Sequence, residues 1–171
     1  MPSKSKTKGN TFEREVAAHL SEVFGYNFER VPNSGAFVGG KNNVRYDKLS
    51  KSQQLIYEGD ILVPDELYHL KIECKNYKDF AFHHLFTDNK TLNDWIEQAW
   101  SDDKVWFLIF KITRRGAFAC MHESHFRQFQ SCLKSSNYVK YKDCYIVTYD
   151  NFFETIKHKL ISMQDETDKL L

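Results

Sequence analysis

Ile72-Glu73-Cys74-Lys75 closes the run Leu67-Tyr68-His69-Leu70-Lys71-Ile72-Glu73-Cys74-Lys75, and Asp60-Ile61-Leu62-Val63 precedes it across a Pro64-Asp65-Glu66 turn. Side chains alternate faces along a strand, so Glu73 and Lys75 share one face while Ile72 and Cys74 take the other. A hairpin joining the two segments sets Asp60 across from the Glu73 end. Two carboxylates and an amine then gather around two strands.

That grouping suits the cutting of phosphodiester bonds. Mg²⁺ keeps several waters and takes one or two protein carboxylates, leaving positions for phosphate oxygens. Asp60 and Glu73 are the candidate carboxylates. A bound cation makes water easier to deprotonate and neutralises charge developing on the phosphate. Lys75 can position or help deprotonate the attacking water, or hold a phosphate oxygen, and the sequence does not choose among these roles. The plainer alternative is a Glu-x-Lys pair solvated on the outer face of a half-buried sheet.

Upstream, Lys8-Gly9-Asn10-Thr11-Phe12-Glu13-Arg14-Glu15 opens a segment whose Phe12, Val16, Leu20, Val23 and Phe24 fall at helical spacing, with Gly25 as the stop. Asn10 is the expected N-cap, with Glu13 completing a capping box. Tyr26 to Val31 reads as a strand, and Pro32-Asn33-Ser34-Gly35 as a turn.

A Lys-Gly-x-x-x-Glu-Arg-Glu helix, an Arg ending the next strand, a Ser-Gly turn, then Asp and Glu-x-Lys on successive strands resembles the PD-(D/E)xK nuclease superfamily. The similarity is greatest to archaeal-type Holliday junction resolvases and related phage proteins, and it runs from about Lys8 to Lys75. It implies an α/β fold with a restriction-endonuclease-like core, a central mixed sheet flanked by helices. It also implies an active site of Glu13, Asp60, Glu73 and Lys75, with Asp60 and Glu73 as main metal ligands and Glu13 assisting, often through water. Mg²⁺ is the expected cofactor, with Mn²⁺ able to substitute. Arg30 and Ser34 match positions near the scissile phosphate; for Arg30 the competing reading is a surface ion pair, and for Ser34 a plain turn residue. Gln98, on the helix after the Glu-x-Lys strand, matches loosely a place where the superfamily often carries an accessory Gln.

The sequence departs from compact resolvases in a long glycine- and asparagine-rich insertion, residues 36 to 57. It carries Lys41, Arg45, Lys48 and Lys51 against Asp47 alone. Long loops in compact domains are commonly functional or mobile, and these charges suit contact along a phosphate backbone, the alternative being a plain solvated loop. Lys8, Arg30, Ser34, Lys41 and Arg45 are the expected nucleic-acid contacts.

At 171 residues with 42% hydrophobic content, the chain can bury one sizeable core. The formal net charge of +1 excludes a uniformly basic DNA coat, yet residues 1 to 58 hold nine Lys and Arg against six acids. The expected organisation is a basic flexible arm over 1–9, one nuclease domain over 10–163 and a fraying tail over 164–171. Cys74, Cys120, Cys132 and Cys144 form no Cys-x-x-Cys pair and indicate a reducing compartment. Cys120-x-His122-x-x-His125 lacks a suitably spaced fourth ligand, and His83-His84 is weaker still. No apolar run approaches the ~20 residues of a membrane span. An intracellular protein is expected, with a phage origin and action in the host cytoplasm among the readings.

Further along, Lys78 to Asp88 reads as an aromatic-rich connection, either an extra helix or a subunit contact, and Thr91 to Ser101 as a helix. Val105 to Lys111 reads as a central strand apolar on both faces, turning at Arg114-Arg115-Gly116 into Ala117 to Met121. A helix over His125–Leu133, a final strand over Tyr145–Thr148 and a closing helix over Asp150–Met163, capped by Asp150 or Asn151, complete the reading. The expected activity is a Mg²⁺-dependent DNA endonuclease, most simply a Holliday junction resolvase working as a homodimer on branched DNA. The alternatives are a restriction, recombination or repair nuclease of the same fold, and a non-catalytic DNA-binding protein.

Overall fold

The computed structural model describes residues 4–32, 59–133 and 137–168. The first helix, α1 (Lys4–Phe24), buries Phe12, Val16, Leu20 and Phe24, the apolar positions spaced at helical period. It ends at Gly25, whose φ of +76° favours a residue without a side chain and whose N–H bonds the Ser21 carbonyl at 2.9 Å. The helix starts at Lys4, so Asn10 lies inside it and is not its N-cap, and residues 4–9 are helical rather than an arm.

The expected strand over 26–31 is shorter. Its core is β1 (Glu29–Arg30), which pairs antiparallel with β2 (Ile61–Leu62), Arg30 opposite Ile61. A 3-10 turn over 65–67 follows Pro64 and leads into β3 (Leu70–Tyr77). After β3 comes an aromatic connection whose only regular piece is a 3-10 turn over 82–86, then α2 (Lys90–Ala99) and β4 (Val105–Ile112). Phe80, Phe82 and Leu85 of that connection pack on the core, whereas Phe86 is exposed.

The chain then turns through Arg114, at φ +63°, and Gly116, at φ +101°, into β5 (Gly116–His122). Next come α3 (Glu123–Phe129), β6 (Tyr138–Tyr141), β7 (Cys144–Thr148) and α4 (Phe152–Asp168). Strand β6 has no counterpart in the sequence reading, and α4 continues through residues 164–168, where the sequence predicts a fraying tail. Among the described residues no helix is long and apolar enough to cross a membrane.

Five strands form one mixed sheet in the order β3-β4-β5-β7-β6, with β3 and β4 parallel and the remaining pairs antiparallel. A parallel pair needs a crossover, and α2 lies within the connection between β3 and β4. Strand β4 lies inside the sheet and is buried at every position but Lys111, because both of its faces are covered. On one face Ile72, Cys74, Phe107, Ile109 and Met121 pack with apolar residues of α1, α3 and α4. On the other, Trp106, Leu108, Phe110 and Ile146 pack with Leu92, Trp95 and Ala99 of α2. This is an α/β, restriction-endonuclease-like architecture in which β3 forms one edge of the sheet.

Candidate active site

Asp60 is buried just before β2, and the expected hairpin is realised differently: β2 pairs with β1, while Asp60 itself lies along the outer edge of β3. The Asp60 N–H donates to the Ile72 carbonyl at 2.9 Å, and its Oδ2 accepts from the Cys74 N–H at 2.9 Å. Gly59 makes that approach feasible. Its φ is +106°, and a Cβ there would stand 2.6 Å from the Ile72 carbonyl oxygen.

Glu73 and Lys75 project from β3 on the α2 side. Lys75 Nζ donates to Glu73 Oε1 at 2.6 Å and to Gln98 Oε1 of α2 at 2.7 Å. Lys71, on the same strand face, donates to the Gln98 and Trp100 carbonyls at 3.1 and 2.8 Å, securing the last turn of α2. From the opposite layer, Glu13 of α1 accepts from Arg30 Nε, while Arg30 Nη2 donates to Asn10 Oδ1 at 2.9 Å. Arg30 is therefore paired, with Glu13 and Asn10, in a largely buried contact and not a surface one.

The ionisation of these groups is linked. Burial and then the charge of Asp60 push the Glu73 carboxyl up to about 7, against the pull of Lys75. Burial and Asp60 also raise Glu13, opposed by Arg30 and Lys75. For Lys75, burial lowers the pKa, but the charge and hydrogen bond of Glu73, with Asp60 beyond, outweigh it and hold the amine above its ordinary value. Lys75 is thus an ammonium at neutral pH.

The Asp60 charge disfavours a second negative charge on Glu73, as one carboxylate does to another that shares its site. Their hard oxygens match in type and number the protein donors that Mg²⁺ takes. Among the described residues no group of three His, Cys, Asp or Glu side chains is assembled to hold a metal ion. The fit is to a two-carboxylate set, with Glu13 engaged by Arg30.

The remaining expected positions are distributed unevenly. Lys8 is exposed on α1, and its carbonyl accepts from Asn76 Nδ2 at 3.2 Å. Ser34, Lys41 and Arg45, with the whole 36–57 insertion, lie outside the described residues. His122 caps α3 through the Ser124 N–H, and Cys120 is buried in β5, so the Cys120-His122-His125 spacing is structural. Sequence reading missed Gly59, Asn10 as a partner of Arg30, and Lys71. Only Gly59 had a usable signal, a glycine directly before the aspartate.

A mixed sheet carrying acidic residues and a Glu-x-Lys at the edge of its parallel pair defines a PD-(D/E)xK nuclease core. Residues 4–163 match the family described as "Phage putative PDDEXK endonuclease", and the chain belongs to that family. Comparison with curated proteins and with solved structures returned no match.

Proposed function

We propose that this nuclease is a divalent-cation-dependent endonuclease hydrolysing DNA phosphodiester bonds, with four-way junctions as substrate and a homodimer as the working form, since two symmetric cuts need two sites. The observation that supports it best is the meeting of Asp60, Glu73 and Lys75 at the β3 edge with linked ionisation. Asp60 and Glu73 would hold Mg²⁺ or Mn²⁺, which when bound supplies Lewis-acid stabilisation of phosphate charge and a more acidic water. Lys75 has three N–H donors; two are held by Glu73 and Gln98, and the third serves a non-bridging phosphate oxygen. Because Lys75 is an ammonium, its role is donor and counter-charge, not base. Arg30 orients Glu13 from the α1 side.

The test is cleavage of synthetic four-way junction, linear duplex and flap DNA with Mg²⁺, Mn²⁺ or EDTA, using wild type, Glu73→Gln and Lys75→Met. Paired nicks on the junction, lost in EDTA and in both variants while DNA binding persists, are expected. Full activity in both variants would remove the site. Equal cutting of linear duplex would replace junction resolution with a restriction, recombination or repair task, and binding without cleavage in any cation would leave a DNA-binding protein.

A further inference from the structure

Tyr77 occupies the strand face of Glu73 and Lys75, two residues beyond Lys75 at the end of β3. It is 47% exposed, unusual for an aromatic on the face that packs against α2. Its ring centroid lies 4.7 Å from that of Trp95, which is buried. Trp95 is fixed in turn by Phe80, stacked at 5.7 Å, and by Phe110, also at 5.7 Å. The Tyr77 backbone is pinned as well, its carbonyl accepting from the Thr113 N–H at 3.0 Å. The result is a half-open aromatic surface on a rigid aromatic support, roughly 7 Å along the strand from Lys75.

We propose that Tyr77 is a stacking platform for an unpaired nucleobase beside the phosphate that Lys75 contacts, an inference that rests on the nuclease reading of the site. Two strand residues cover about the length of backbone that one nucleotide of an extended strand spans, so a phosphate at Lys75 brings the neighbouring nucleotide to Tyr77. Every base has a π-face, so the contact is indifferent to sequence. A base inside an intact duplex already has both faces covered, so the platform is usable only by one that has left the stack. It selects single-stranded, branched or frayed DNA over uniform duplex, and a rigid ring loses little freedom on binding.

The experiment combines a protein change with a DNA change. Partly single-stranded oligonucleotides carry one abasic position, moved stepwise across the cleavage point, and are cut by wild type, Tyr77→Ala and Tyr77→Phe. Wild type is expected to lose about tenfold in kcat/KM at one abasic position, by the usual strength of base–aromatic stacking. Tyr77→Ala loses about tenfold on intact DNA and no longer senses the abasic position, whereas Tyr77→Phe matches wild type. Uniform cutting across the abasic series, or continued discrimination by Tyr77→Ala, overturns the proposal. A binding arm in EDTA uses 2-aminopurine at the same positions and separates this from failure of the nuclease reading. Quenching by wild type and not by Tyr77→Ala sustains the platform even for a chain that cuts nothing, and equal fluorescence removes it.

Discussion

Gly59 and Ile72 approach so closely that a Cβ on Gly59 would stand 2.6 Å from the Ile72 carbonyl oxygen. Replacement by Ala needs a backbone shift on top of an unfavourable φ, at a cost of about 1–3 kcal/mol. Because the next residue is Asp60, the shift also moves a carboxylate of the site. Gly59→Ala is expected to lower the Tm and to lose most divalent-cation binding by calorimetry. Wild-type cation affinity in a destabilised Gly59→Ala would show that Asp60 is seated independently.

The raised Glu73 carboxyl gives the cation-free protein a specific pH dependence. Between pH 4.5 and about 7 the folded chain keeps a proton that the unfolded chain has released. This contribution is fully present below pH 4.5, falls across that interval and is gone above about 7, a span of roughly 3 kcal/mol. Urea denaturation in EDTA at pH 5 and pH 8 should show the loss in wild type and much less of it in Glu73→Gln. Parallel profiles for the two proteins would refute it.

Cation added at pH 8 should reverse that loss, since a ligand that binds only the folded chain stabilises it by mass action. Millimolar Mg²⁺ or Mn²⁺ is expected to raise the wild-type Tm and to leave Asp60→Asn unchanged. Scanning calorimetry with and without cation makes the comparison, and equal shifts in both proteins would place the binding elsewhere.

Arg30 is the hydrogen-bonding partner of a largely buried Glu13. Arg30→Ala leaves that carboxylate without its donor and is expected to cost about 1–3 kcal/mol. Arg30→Lys should recover only part, because a single ammonium cannot reproduce the fork that reaches both Glu13 and Asn10. Denaturant midpoints of the three proteins decide the point.

A second tie joins α1 to the far end of the chain. His19 bonds the Tyr149 hydroxyl at 2.6 Å through Nδ1 and Glu154 at 2.9 Å through Nε2. Tyr149→Phe removes the first bond and is expected to cost about 1 kcal/mol while leaving cleavage per folded molecule unchanged. A reduced rate at full folding would connect this clasp to the chemistry.

The parts legible in sequence are those with a repeating pattern. Phe12, Val16 and Leu20 mark α1 by spacing, and Val105 to Phe110 marks an interior strand because both faces of β4 need apolar cover. Glu73 and Lys75 were readable as one face by alternation alone. Strand β6 escaped because Tyr138, Val139 and Lys140 are all exposed, so an edge strand of four residues shows no alternation. The start of α1 escaped because Lys4 to Lys8 carry no apolar stripe. The Glu13–Arg30–Asn10 contacts join a helix to a strand through side chains, and such pairing leaves no periodic trace. Tyr77 falls between the strand read to Lys75 and the connection read from Lys78, and its exposure beside Trp95 is set by tertiary packing that leaves no local pattern.

Glu13 arrives from the helical layer on one side of the sheet, Gln98 from the layer on the other, and Asp60 from a segment laid along the open margin between them. No single supersecondary unit contains the assembly. A nascent or half-unravelled chain lacking either layer therefore has carboxylates but no organised centre. Under the proposed reading of the site, competence then requires both layers to be in place on the sheet.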